Sequence, residues 1–127
     1  MPRSRTKLGA FGESYAGSYL GRLGYQVLAR NLRLKAGEID ILAQDGETLV
    51  FIEVRTRRGG RFGTPEESIT ISKAARMARL AGEYLLSLEA QPQGWRIDVV
   101  AIDVAPDGRV LRLEHIKNAV GEGGPAP

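Results

Sequence analysis

The sequence predicts an α/β domain in which helices pack on a mixed central sheet. Three observations carry this. Two stretches repeat apolar residues with a helical period, five stretches carry strand patterns, and Asp45-Gly46 marks a tight hairpin between two of those strands. The resulting order is α-β-β-β-α-β-β.

Phe11, Tyr15, Tyr19 and Leu23 recur every four residues, with Leu8, Ala16 and Leu20 alongside. They describe an amphipathic helix from about Ala10 to Leu23, closed by Gly24. Tyr25 to Leu34 reads as the first strand. Ile39, Ile41 and Ala43 alternate with Glu38, Asp40 and Leu42 in the second, and Thr48 to Thr56 is the third. Arg57 to Thr64 is a loop rich in Gly and Arg, and Thr64-Pro65-Glu66-Glu67 resembles a short helix start. Ser72 is placed to cap the main second helix, whose apolar face is Met77, Leu80, Ala81, Tyr84, Leu85 and Leu88. Trp95 to Val104 and Val110 to Ile116 complete the sheet around a Pro106-Asp107-Gly108 turn.

The 127 residues, 43% hydrophobic and 26% charged, suit one globular domain with its own core. The domain is expected over residues 1–118, followed by a flexible Gly/Pro tail at 119–127. The absence of cysteine excludes disulfides, zinc-thiolate sites and thiol nucleophiles. A single histidine, His115, argues against a His-rich metal site or a Ser-His-Asp triad. Catalysis would therefore rest on carboxylates, lysine or arginine. The basic start MPRSRTKLGAFGE leads into no apolar run of signal-peptide length, and no stretch approaches the roughly 20 apolar residues of a membrane span. The expectation is a cytoplasmic protein without membrane contact. The net charge of +3 says little by itself; its distribution says more.

Acidic residues sit inside two strands, where a carboxylate is costly unless paired or bound to a cation. By strand period, Glu38 and Asp40 share a side, and so do Phe51, Glu53 and Arg55. A two-residue Asp45-Gly46 loop would pair Gln44 with Glu47, Asp40 with Phe51 and Glu38 with Glu53. Asp40 and Glu53 would then be diagonal neighbours on one face, about 7–8 Å apart at the backbone. Glu13 falls about 20° from Leu20 on the helical wheel, at the edge of the apolar stripe. Carboxylate oxygens without His or Cys suit Mg²⁺ or Mn²⁺. Such an ion lowers the pKa of water and neutralises phosphate charge, which matches phosphodiester hydrolysis. Arg30, Arg33 and Lys35 precede these acids, Arg55, Arg57, Arg58 and Arg61 follow Glu53, and Lys73 opens the second helix. They are candidate nucleic-acid contacts.

Plainer readings stand beside this one. Glu38 and Glu53 pair with Arg30 and Arg55 on a wet sheet face, and Glu13 is a surface helix residue. The arginines form a solvated loop, Asp98 is structural, and His115 is an ordinary half-buried histidine. Tyr15 and Tyr19 are core residues at helical spacing.

The segments FGE-x2-A at Phe11–Ala16, GY-x-VLARN-x-R at Gly24–Arg33, GEIDILA-x-D at Gly37–Asp45 and LVFIEVRTR at Leu49–Arg57 together resemble the YraN-like family of uncharacterised bacterial proteins. GTPEESI at Gly63, AGEYL at the second helix end and WRIDVVAID at Trp95 continue the match, which spans about residues 8–118. The resemblance implies a restriction-endonuclease-like αβββαββ core of the PD-(D/E)XK class, similar to archaeal Holliday junction resolvases. By motif position it implies that Glu13, Asp40, Glu53 and Arg55 are catalytic. Asp40, Glu53, the Val54 backbone carbonyl and Glu13 are the implied ligands of Mg²⁺ or Mn²⁺. The implied activity is metal-dependent endonucleolytic hydrolysis of DNA, with branched DNA as the analogous substrate and a homodimer as the analogous assembly. Two positions depart from the class pattern. Ile39 stands where proline is frequent, and Arg55 replaces the usual lysine. Arginine neutralises phosphate but stays protonated, which makes it a poor general base. Two further readings remain open: a non-catalytic nucleic-acid-binding module with the same fold, and a protein-interaction module whose acids are surface charges.

Overall fold

In the computed structural model, which describes residues 6–59 and 69–120, two helices and five strands alternate in the expected order. They are α1 (Lys7–Arg22), β1 (Gln26–Leu34), β2 (Gly37–Asp45), β3 (Thr48–Arg58), α2 (Ile71–Leu86), β4 (Gly94–Val104) and β5 (Val110–Ile116). The strands form one mixed sheet in the order β1-β2-β3-β4-β5, antiparallel throughout except for the β3–β4 pair. The parallel pair follows from the crossover through α2, which returns the chain to the same end of the sheet.

Each face of the sheet carries one helix and one core. Ala16 and Leu20 of α1 pack with Ile41, Ala43, Val50, Ile52, Val100 and Ile102. On the other face Met77, Leu80, Ala81 and Leu85 of α2 pack with Ile39, Leu42, Leu49, Phe51, Ile97 and Val99. Alternate residues of β3 and β4 feed the two cores, which explains why both strands read as nearly continuous apolar runs.

The Thr6 hydroxyl caps α1 by accepting the Gly9 N–H at 2.9 Å. At the other end Gly24, at φ 96°, permits a Schellman closure: Tyr25 N–H donates to Leu20 O and Gly24 N–H to Gly21 O, both at 3.0 Å. The buried face of α1 is Gly12, Glu13, Ala16 and Leu20. It is rotated from the expected stripe, and Phe11 and Leu23 stay exposed at its margins. The cause is close packing, since a Cβ at Gly12 would collide with the Thr56 side chain. The small residue lets the helix settle on β3 and carries Glu13 inward.

The β2–β3 hairpin closes at Asp45–Thr48, so its two-residue loop is Gly46-Glu47 rather than Asp45-Gly46. Gly46, at φ 61°, occupies the first loop position. Every partner moves by two residues relative to the expected register. An even shift leaves the faces intact. Strict alternation does fail in β2, because Ile39 joins the α2 core while Ile41 and Ala43 join the α1 core. The break at Asp40 has a counterpart in β1. There Asn31 adopts φ 54° between Arg30, paired with Ile41, and Leu32, paired with Ile39. Asparagine is among the few non-glycine residues that tolerate this conformation.

Thr70, not Ser72, caps α2, accepting the Lys73 N–H at 3.1 Å; Ser72 lies inside the first turn. Strand β3 runs through Arg58, so Arg57 and Arg58 belong to the sheet rather than to a loop. Glu83 of α2 accepts the Lys35 and Ala36 N–H groups at 2.8 and 3.1 Å, which ties the β1–β2 turn to the helix. The Ala119 N–H donates to Ile97 O at 2.7 Å, and Ala119 and Val120 pack on the α2 core. Arg61, the helix start at Thr64–Glu67 and the tail from Gly121 lie outside the described residues. Among the described residues, no helix is long and apolar enough to cross a membrane.

Candidate functional site

The paired register of β2 and β3 ends at Ile41–Ile52, and just beyond it Asp40 and Glu53 line the same groove. Asp40 Oδ2 accepts the Val54 N–H at 2.9 Å, taking over where the backbone ladder stops. The N–H and C=O of one strand residue point to the same side, so the Val54 carbonyl is directed to that same edge of β3. Burial pushes the Asp40 carboxyl up to about 7, reinforced by repulsion from Glu53 and more weakly from Glu13. The Val54 N–H and Arg76 oppose the rise.

Glu13 is 7% exposed, and its Oε1 accepts the Asn31 side-chain N–H at 2.7 Å. Helix α1 therefore aims a buried acid at the level where β1 and β2 twist. Glu53 is held from two directions at one oxygen, Oε2. Arg76 of α2 reaches it at 3.1 Å and Arg55 of its own strand at 3.6 Å.

These groups line a groove of about 860 Å³ between the start of α1, the β1–β2 hairpin, β3 and the start of α2. Glu13, Glu38, Asp40 and Glu53 supply its acids. Arg33 and Lys35 stand on the hairpin wall, with Arg55, Lys73 and Arg76 on the other. Burial lowers the Lys73 pKa, and the Arg55 and Arg76 cations lower it further against the pull of Glu53. A cavity of about 20 Å³, the space of one water, lies against Asp40, Glu53, Phe51 and Met77.

The candidates thus separate. Glu13, Asp40, Glu53, Val54, Arg55, Arg33 and Lys73 meet in the groove. Arg30 instead donates to the Ser14 hydroxyl at 3.2 Å. Arg57 pairs with buried Asp103 at 2.9 Å, and Arg58 donates to the Ala105 and Pro106 carbonyls. None of these last three lines the groove.

Two residues of the site carry no motif of their own: Arg76, which lines the groove, and Asn31, which holds Glu13 there. Arg76 stands one helical turn after Lys73, a spacing that places both on one face. Asn31 carried no signal beyond its residue type. A second buried network lies on the α1 side of the sheet. Asp98, fully buried, accepts from His115 Nε2 at 2.8 Å, Arg96 Nε at 3.0 Å and Asn118 N–H at 3.0 Å. Tyr19 reaches the other His115 nitrogen at 3.1 Å. Burial alone would raise the Asp98 carboxyl, but these donors outweigh it and hold it below the usual carboxylate range.

Among the described residues, no three acids, histidines or cysteines form a ready-made metal centre. Glu13 is bonded to Asn31 and Glu53 to Arg76. The donor set nevertheless fits a hard divalent ion. Asp40 and Glu53 offer carboxylate oxygens on adjacent strands, and their mutual repulsion is what a cation would relieve.

A mixed α/β domain with an acid-floored, basic-walled groove is the class that fold and site define. The chain belongs to the uncharacterised protein family UPF0102, whose model matches residues 12–102. This is the YraN-like group that the motifs resemble. It is similar to UPF0102 proteins along nearly its whole length. The Symbiobacterium thermophilum protein is 50% identical over 113 residues, covering 89% of this chain and 95% of the relative. Those of Roseiflexus castenholzii and Dehalococcoides mccartyi are 49% and 46% identical over 123 residues, each covering 96% of this chain and 99% of the relative.

Proposed function

We propose that this protein is a Mg²⁺- or Mn²⁺-dependent endonuclease that hydrolyses DNA phosphodiester bonds on a restriction-endonuclease-like framework. The observation that carries the reading is the meeting of Asp40 and Glu53 at the end of the β2–β3 ladder, in a groove walled by Arg33, Arg55, Lys73 and Arg76. A groove lined by both signs suits a phosphate backbone bound through a cation. The basic walls hold phosphates, and the acids hold the ion between them.

Asp40, Glu53 and the Val54 carbonyl would hold the ion. When bound, it neutralises charge on the phosphate and lowers the pKa of a water. The remaining work falls to the chain itself. The Val54 N–H fixes the Asp40 carboxylate, and Asn31 fixes Glu13 at the edge of the groove. Arginine is a poor general base, so the contribution of Arg55 is to neutralise phosphate rather than to move a proton. Arg33 and Lys73, on opposite walls, position the backbone on either side of the acids.

The test is incubation with Mg²⁺ or Mn²⁺ and a panel of duplex, single-stranded, flap and four-way-junction DNA. Metal-dependent cleavage that disappears in Glu53→Gln supports the reading. Cleavage unchanged in that variant assigns the activity to a contaminant. One observation favours a second reading, a non-catalytic nucleic-acid-binding module: two arginines already occupy Glu53 Oε2. Salt-sensitive DNA binding without cleavage on any substrate would select it.

A further inference from the structure

Arg76 and Arg55 are not equivalent partners of Glu53. Arg76 comes from a different element and hydrogen-bonds Oε2 at 3.1 Å, whereas Arg55 lies two residues away on the same strand at 3.6 Å. The Arg76 side chain is also 36% exposed and lines the groove beside Lys73, so its guanidinium is accessible to a ligand. A guanidinium on Glu53 supplies the charge that a divalent ion would supply at the same oxygen. The two repel each other at contact distance, and neither is strongly screened in a half-buried site. Guanidinium is moreover a preferred partner for phosphate, which it grips through paired N–H groups.

We infer that Arg76 is a positioning residue that couples metal binding to nucleic-acid binding. Without a phosphate in the groove it neutralises Glu53. A backbone phosphate between the walls draws it off the carboxylate and leaves Glu53 to the divalent ion. This deepens the proposed function and rests on the groove being a metal-dependent DNA site. By linkage, DNA and the metal each tighten the other by the same factor. Pairing of a partly exposed charge is weak, so that factor is modest, about fivefold.

The test is calorimetric Mn²⁺ titration of the full chain, with and without a short hydrolysis-resistant phosphorothioate DNA duplex. Wild type, Arg76→Gln and Arg76→Lys are compared, with thermal melts to confirm folding. The expected result is Mn²⁺ binding about fivefold tighter in R76Q than in wild type without DNA, and equal in the two when DNA is bound. R76K, which keeps the charge, should follow wild type. A purely structural Arg76 would give equal affinities in both states, or a loss in both. Either outcome overturns the inference and leaves the nuclease reading intact. Failure of wild type to bind Mn²⁺ or DNA under any condition removes both.

Discussion

Asp40 Oδ2 accepts the Val54 N–H at 2.9 Å, so a side chain completes the bonding of β3 where the β2 backbone turns away. The contact accounts for a carboxylate within a strand. Asp40 serves the sheet through one oxygen while it lines the groove beside Glu53. The arrangement has an electrostatic cost, because burial and Glu53 raise the carboxyl to about 7 from its ordinary 3.8.

That cost predicts a stabilising mutation. A carboxyl whose folded pKa exceeds its unfolded value destabilises the fold only when ionised. The penalty is absent below about pH 4, grows between pH 4 and 7, and is complete above. The shift corresponds to at most about 4 kcal/mol, and partial exposure to the groove reduces it to about 1–2 kcal/mol. Asp40→Asn keeps an acceptor for Val54 and loses the charge. Its melting temperature without metal should exceed that of wild type at pH 8, with the difference vanishing by pH 4. A lower melting temperature at pH 8 would contradict the account.

Asp98 should behave in the opposite sense. Its folded pKa is depressed, so the stability it contributes is present above the unfolded value of 3.8 and is lost as pH falls below it. Asp98→Asn leaves Arg96 and His115 without their buried anion, a loss of about 3–5 kcal/mol. Urea denaturation should show this deficit at pH 7 and a progressive closing of it below pH 4.

The approach of α1 to β3 depends on Gly12. Gly12→Ala should destabilise by about 1–3 kcal/mol, since a methyl group there meets Thr56. Thr56→Ala in the same chain should recover part of the loss, which denaturant titration of the three variants would reveal.

The basic residues divide by location, and their salt dependence should divide with them. Arg33→Ala and Lys73→Ala remove cations that line the groove, and each should lower the slope of log affinity for DNA against log salt by about 1. Arg57→Ala should leave the slope unchanged and instead lower stability, because Arg57 pairs with buried Asp103. Fluorescence anisotropy over a salt series separates the two effects.

Local pattern made much of this legible. The apolar period defined α2, the Asp-Gly pair located the hairpin, and parity placed Asp40 and Glu53 together despite a two-residue error in register. Tertiary context supplied what pattern lacked. Asn31 carries no mark of its left-handed backbone, and nothing near Ile39 shows that its side chain crosses to the α2 core. Arg57 and Arg58 read as loop cations because Asp103 and the Ala105 carbonyl, their partners, lie some 46 residues away. Arg76 meets Glu53 only because the crossover returns α2 across the end of β3.

The most direct test of the central claim is Mn²⁺-dependent DNA cleavage by wild type and Asp40→Asn purified in parallel under single-turnover conditions. The account predicts cleavage by wild type and a rate about 10²–10³-fold lower or undetectable in the variant, which remains folded. Equal rates in the two proteins would contradict it.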